Sequence, residues 1–493
     1  MTYKNEIVYY MKEKCSSINL QAVPNIAKSN QKLVKLLWIL YLIVSGGFCA
    51  YFIIRTILSY LSYDVSTTIT MSNELKLIFP VINICNLNIF ATESINTYLK
   101  ALYNSSLPDM NYNYLSKLLA NQKVDKNMSG YPIDDIIINC QFSQEDCDLT
   151  KDFEKYFDVN YGNCFRFNSG KMMNGSKTQL KNVYLSGLMN SFELELFIGS
   201  AGLNDNLFSK ENGFLIFVNN ATFDSIDSEG IQISPGHSTR IMINKFRIKK
   251  QPKPYSQCTE NLKNADSYGS IYYKKAMNIN ERNYHYQDCI YICFQKYLGD
   301  LCGCQSSYFN EVFYSEMRLC SISLSNMTNN VDDYKCYQKA WSKFSDGSSR
   351  QMINCDCPLG CEETGYTYSI SSAEFPTKNY AQYLLNHNII KKRFSNVNKS
   401  SIVFDDLKQS IARVQIFYNE LIETLIEESP KMSAADLVSN IGGTFGLFLG
   451  LSFASLIELF EIGFVLMSIV YKSKKMKNNV IKVAEKSSQS SSN

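Results

Sequence analysis

Two uncharged runs constrain this chain before any motif is read. Residues 36–54 ("LLWILYLIVSGGFCAYFII") hold no charged side chain for 19 positions, enough for a helix to cross roughly 30 Å of hydrocarbon. A second uncharged run covers residues 437–457, about 380 residues later. The first run is too long, and too far from the N-terminus, for an ordinary signal peptide, and no small-residue cleavage site follows it. The alternative is a pair of buried core helices in a soluble protein. Lysine decides orientation: residues 1–35 carry six Lys against two Glu, and residues 472–493 six Lys against one Glu. Positive flanks stay cytoplasmic, which predicts both termini inside and a long extracellular middle. The expected segments are a cytoplasmic N-terminal stretch 1–35, a first span 36–57, an extracellular domain 58–431, a second span 432–471 and a cytoplasmic tail 472–493.

Cysteine and sequon placement agree with that topology. Fourteen of the 16 cysteines lie between the runs; Cys15 and Cys49 do not. A dense, even set in a polar segment reads as a disulfide framework in an oxidising compartment. Six glycosylation sequons lie there too, at Asn104, Asn127, Asn174, Asn220, Asn326 and Asn398. The middle shows no HExxH, GxSxG, P-loop or dinucleotide fingerprint. Its only histidines are His237, His285 and His387, with no nucleophile paired to them. The close cysteines near 302–304 and 355–361 suit disulfides better than zinc outside the cell. An enzyme is therefore not expected, nor a cofactor. The basic tails lack interleaved aromatics and suit a lipid surface rather than nucleic acid. "SFELELFIG" (191–199) and "GFLIFVNN" (213–220) have strand composition. "FDDLKQSIARVQIFYNELIETLIEE" (404–428) fits helix or strand.

The second run has an unusual composition for a lipid anchor. Gly442, Gly446 and Gly450 recur every four residues, and Glu458 and Glu461 follow three apart. Small residues allow helices to approach closely, and acids in a span face protein or water. Glycine-mediated dimer packing accounts for the glycines but not the acids. Symmetric copies around an axis account for both: a pore narrowed by backbone, with carboxylates drawing cations to its inner mouth.

"SNIGGTFGLFLGLSFASLIELFE" (439–461) resembles the second membrane segment of the degenerin/epithelial sodium channel superfamily. "FPVINICNLN" (79–88) and "YGNCFRFNSG" (161–170) resemble two further signatures of that superfamily. The cysteines match its acid-sensing branch in number and order, and nearly in spacing. The resemblance implies an α+β membrane protein, trimeric, with two membrane helices and a large disulfide-rich ectodomain of palm, knuckle, finger, thumb and β-ball. It implies the disulfides Cys85–Cys164, Cys140–Cys147, Cys258–Cys361, Cys289–Cys357, Cys293–Cys355, Cys302–Cys336 and Cys304–Cys320, the last five in the thumb. It places a selectivity filter at Gly450, Leu451 and Ser452, where Leu451 departs from the usual small residue. Pore and gate positions follow at Asp436, Ser439, Asn440, Gly443, Gly446, Leu447, Glu458 and Glu461. Large side chains at the position of Ser439 hold related channels open. Asn440 stands where acid-sensing members carry Asp, and Asp436, one turn above, is the candidate for an outer calcium site. Tyr63 and Tyr255 match an aromatic pair coupling thumb to membrane, the second usually Trp. In "SSINLQAVPNIAKS" (16–29), Gln21 and Ala22 replace the family's His-Gly gating dipeptide, which predicts weak gating alone and a partner subunit.

The implied function is an amiloride-sensitive sodium channel subunit of the plasma membrane, passing sodium, with calcium as the second candidate ion. Three triggers compete: a peptide, protons, or none. Acid-sensing members carry thumb carboxylates where this chain has Gln338 and Ser342, with Lys339 between them. "SYDVSTT" (62–68) also lacks their two histidines. With so little to titrate between pH 5 and 7, an extracellular neuropeptide is the expected trigger. ATP-gated two-span receptors share the topology but need another cysteine set and lack "FPVINICNLN". A non-conducting adhesion or receptor subunit predicts no current at all.

Overall fold

Alternation with period two shapes the largest sheet. In "FELELF", Phe192, Leu194 and Leu196 are fully buried on one face while Glu193 and Glu195 take the other. The computed structural model describes residues 14, 22–88, 131–158, 161–199, 211–219, 230–262, 264–279, 284–306, 313, 314, 317, 318, 320, 327–346, 354–393, 404–452, 455, 457, 458, 460–465, 467–469 and 471. These fall into two compact units, residues 67–428 and residues 1–66 with 429–493.

The larger unit is built mainly on two sheets. The seven-stranded one pairs β15 (Glu362–Glu374), β12 (His237–Lys249), β16 (Ile411–Pro430), β9 (Phe192–Phe197), β4 (Ile137–Phe142) and β5 (Glu145–Asp146) in that order, with β1 (Val65–Asn73) also on β16. The five-stranded one runs β11 (Ile231–Ile233), β10 (Phe214–Asn219), β3 (Val81–Asn86), β7 (Gly162–Phe167) and β6 (Phe153–Asp158). Both expected strands, in 191–199 and 213–220, are therefore present. The ambiguous stretch 404–428 resolves into a short helix, Phe404–Lys408, followed by a 20-residue strand. Ala412, Val414, Ile416 and Tyr418 alternate inward there, which a helix would scatter around its circumference.

One hydrophobic core joins the sheets. Phe167 stacks on Phe192 with centroids 3.9 Å apart, and Phe79 meets Phe142, Phe167, Phe192 and Tyr418 edge-on. A helical subdomain packs separately: α4 (Tyr286–Cys302) and α5 (Met327–Ser345), with α3 (Ile271–Ile279) before them, bury Phe294 and Phe344 beside Trp341. Seven disulfides are formed, and their pairs are the seven the resemblance implies. Their geometry follows from the elements. Cys85 and Cys164 are direct cross-strand neighbours on β3 and β7. Cys289 and Cys293 sit one turn apart on α4 and bind Cys357 and Cys355 of one short irregular segment, where the Cys357 amide donates to Cys355 O at 2.8 Å. Each bridge contributes about 2–4 kcal/mol, largely by restricting the unfolded chain.

The smaller unit holds α1 (Ala22–Lys28), α2 (Lys32–Leu61) and α9 (Ala434–Leu449). Among the described residues α2 alone is long and apolar enough to cross a membrane. Its 30 residues span about 45 Å. The second uncharged run is not one continuous helix, contrary to expectation. α9 stops at Leu449, residues 450–452 are non-helical, and a short apolar helix covers Phe460–Ile469. Glycine explains the stop: Gly450 adopts φ 67°, ψ 20°, a left-handed conformation that costs it nothing and ends the helix.

Candidate ion pathway

α9 begins on a capping box. Ser433 Oγ accepts from the Asp436 amide at 3.1 Å, and Asp436 Oδ2 accepts from the Ser433 amide at 2.9 Å and its hydroxyl at 2.7 Å. The carboxylate in the sequence-based calcium site thus already accepts two hydrogen bonds. Below the cap, the helix has two unlike faces. Leu437, Ile441, Thr444, Phe445 and Phe448 are half-buried, whereas Asp436, Ser439, Asn440, Gly443 and Leu447 are exposed. Steps of three, one, three and four put this exposed set on one stripe. Its upper part is polar: an acid, a hydroxyl and an amide within two turns. Gly446 is exposed as well, and a Cβ added at Gly442 or Gly443 would meet nothing within 4 Å.

At the lower end the backbone leaves the helix at the three positions assigned to the filter. Gly450 N–H donates to Gly446 O at 3.0 Å and Leu451 N–H to Phe445 O at 3.3 Å, closing the last turn. The Ser452 and Ser455 hydroxyls lie 3.1 Å apart, and each accepts from the other's amide at 3.3 Å. Ser455 is fully buried. Leu451 follows a left-handed residue and lies outside the helix, so helical periodicity does not set its direction. Further on, Glu458 is half-buried and Glu461 exposed, and Glu461 pairs with Lys14 at 3.2 Å. One of the two expected carboxylates is thus already engaged by a lysine from the N-terminal stretch. Nothing in the sequence pattern links those two residues.

α2 holds α9 by aromatic contacts and one hydrogen bond. The Phe448 ring stacks on Phe52 at 5.6 Å and on Phe48 at 6.3 Å. Ser45 Oγ donates to Phe448 O at 2.5 Å. Sequence patterning does not single out Ser45; its one signal is a hydroxyl inside an apolar run.

The remaining assigned residues are spread more widely. Ala22 is buried at the start of α1, while Gln21 lies outside the described residues. Tyr63 takes φ 52° just after α2, and Tyr255 belongs to the other unit, its amide donating to Pro252 O. Of the sequons, Asn174 alone is described. It is exposed, its Oδ1 accepting from the Ser176 hydroxyl at 2.6 Å. Asn104, Asn127, Asn220, Asn326 and Asn398 lie outside the described residues. On α5, Gln338, Lys339 and Ser342 are exposed. Among the described residues no cluster of His, Cys, Asp or Glu could hold a metal ion.

Titratable groups of the larger unit divide in two directions. Burial pulls His285 down to about 4. Burial pushes Glu195 up, opposed by the Tyr380 hydroxyl that donates to Oε1 at 2.8 Å and by Arg413. Beside it, Arg413 and Gln415 both donate to the Glu193 carboxylate.

Comparison with known proteins places this architecture. The sequence profile of a family described as amiloride-sensitive sodium channel matches residues 14–462. The FMRFamide-activated amiloride-sensitive sodium channel of Cornu aspersum is 24% identical, over 93% of this chain and 83% of its own length. The bile acid-sensitive ion channel of Mus musculus is 23% identical, over 91% and 86%. Among solved structures, a proton-activated chloride channel overlays with a TM-score of 0.32 at 7% identity, over 87% of this chain and 98% of that one. With the profile spanning nearly every element described above, the chain belongs to the amiloride-sensitive sodium channel family.

Proposed function

We propose that this chain is a pore-forming subunit of a sodium-conducting channel, crossing the plasma membrane twice with both termini cytoplasmic. The observation that carries the reading is the exposed stripe Asp436, Ser439, Asn440 and Gly443 on α9, running down to a helix break at Gly450. An apolar helix facing only lipid has no use for an acid, a hydroxyl and an amide on its free face. Three copies, or this chain with related subunits, would turn those stripes toward one axis and leave α2 outside. The non-helical Gly450, Leu451 and Ser452 then form the narrow belt where a cation exchanges water for protein oxygen. Glu458 and Glu461 supply negative charge beyond it. Asp436 is the candidate calcium position, so Asp436→Asn should weaken block by external calcium.

The trigger we favour is an extracellular peptide. A relative similar along nearly the whole chain is FMRFamide-activated. His285 sits too low to report on pH 5–7, and the thumb positions of interest hold Gln338, Lys339 and Ser342 rather than acids. Acid gating keeps one supporting observation, the buried and upward-shifted Glu195 next to Glu193. Voltage clamp of cells expressing the chain, alone and with related subunits, decides between these readings. The protocol applies a neuropeptide panel, a pH drop, amiloride and sodium replacement. An amiloride-blocked sodium current evoked by peptide supports the proposal, and one evoked by acid alone overturns the trigger. Surface protein without current in either setting overturns the channel.

A further inference from the structure

The argument starts from the hydroxyls of the helix pair. A serine or threonine inside a helix ordinarily donates to its own chain four residues back. Thr56 of α2 does this, to Phe52 O at 2.8 Å, and Thr444 of α9 likewise, to Asn440 O at 2.7 Å. Ser45 does not. Its hydroxyl crosses to the other helix and donates to Phe448 O at 2.5 Å. Ser45 and Cys49, one turn apart, are the two buried residues among those described on α2. The close approach that buries them is what brings the hydroxyl within reach.

The acceptor's position gives the contact its consequence. The last four carbonyls of a helix have no partner within it, and in a segment without water they need one from elsewhere. Phe448 O is one of those four on α9, two residues before Gly450. Gly446 O is closed by Gly450 N–H, and the carbonyl one residue earlier, Phe445 O, by Leu451 N–H. Phe448 is thus held at its carbonyl by Ser45 and at its ring by Phe48 and Phe52, all three from α2.

We infer that Ser45 is a positioning residue for ion selectivity: its hydroxyl fixes the place where α9 ends, and thereby the geometry of Gly450, Leu451 and Ser452. The inference rests on the pore reading above. It assigns to the first helix a part in a filter whose residues all belong to the second. Selection between cations of different size depends on where the protein oxygens are held, so loosening the end of α9 changes the permeability ratio.

The test compares isosteres in the full chain. Thr and Val have the same shape, and only Thr keeps the hydroxyl. Ser45→Thr, Ser45→Val and Ser45→Ala are expressed in a Ser439→Phe background that keeps the pore open, alone or with related subunits. Sodium-to-potassium permeability is read from reversal potentials, and surface protein by biotinylation. The expected result is a wild-type ratio for Thr and a ratio lowered about threefold or more for Val and Ala, at comparable surface levels. Equal ratios for Val and Thr overturn the inference, as does loss of both from the surface, because shape alone would then matter. Should Val and Ala fail to reach the surface while Thr does, Ser45→Cys, a weaker donor, is expected to give an intermediate ratio, and a wild-type ratio there overturns the inference. A Ser439→Phe chain at the surface with no current under any condition overturns the pore reading itself.

Discussion

Residues 67–428 are held by seven disulfides, by a core in which Phe167 and Phe192 stack at 3.9 Å, and by a 13-residue antiparallel ladder between β12 and β15. The unit of residues 1–66 and 429–493 contains no disulfide among its described residues. There α2 and α9 meet through one cross-helix hydrogen bond and two stacked ring pairs. Cross-links and interlocked aromatics hold the larger unit to one shape. Under the channel reading proposed above, a part with few cross-links suits a change of state, since elements that move are drawn from the less stable end of a structure.

The comparison breaks most readily in the core. Phe192→Ala removes a fully buried ring and should cost about 3–5 kcal/mol. The chain would then be retained inside the cell and lost from surface biotinylation, whereas Phe448→Ala, in the looser unit, should still reach the surface. If both are retained alike, the contrast between the units is wrong. Next comes one bridge of the helical subdomain. Replacing Cys293 and Cys355 together by Ser should cost about 2–4 kcal/mol, measured as earlier cleavage in a graded protease digest of intact cells. Unchanged digestion would show that the remaining bridges already hold that region.

A smaller effect is expected at the helix break. Gly450→Ala forces a side chain into the left-handed region at about 1–2 kcal/mol. The outcome should be altered current at nearly normal surface abundance, the opposite pattern to Phe192→Ala. The smallest effect concerns Glu195, whose carboxyl burial shifts above its ordinary value of 4.5. A raised acid means the folded state binds the proton more tightly than the unfolded one. Stability from this group is therefore complete below pH 4.5 and declines as pH rises through the folded value. Glu195→Gln should flatten that slope and leave the chain slightly more stable at neutral pH, read from melting curves of detergent-purified protein at several pH values. An unchanged slope would show that the proton does not reside on this carboxyl.

Much of this protein was legible without coordinates. Uncharged length between lysine-rich flanks requires a long apolar helix at residues 36–54, because hydrocarbon leaves backbone polar groups no other partner. Alternation in "FELELF" specifies a strand with two faces, and cysteine order, read through the family, gives the seven pairs. The stretch 404–428 stayed ambiguous because residues 411–418 are buried at seven of eight positions, so the hydrophobic pattern there loses the clean period of two. Tertiary structure alone decided three things. Gly450 ends α9, although glycine within an apolar run is equally compatible with a continuous helix. The exposed side of α9 depends on where α2 lies, which no local pattern encodes. Ser45 reaches Phe448 across 403 positions of sequence, and Lys14 reaches Glu461 across 447. Spacing along a chain reports contacts within a few turns or between neighbouring strands, and contacts this distant arise only when the helices pack.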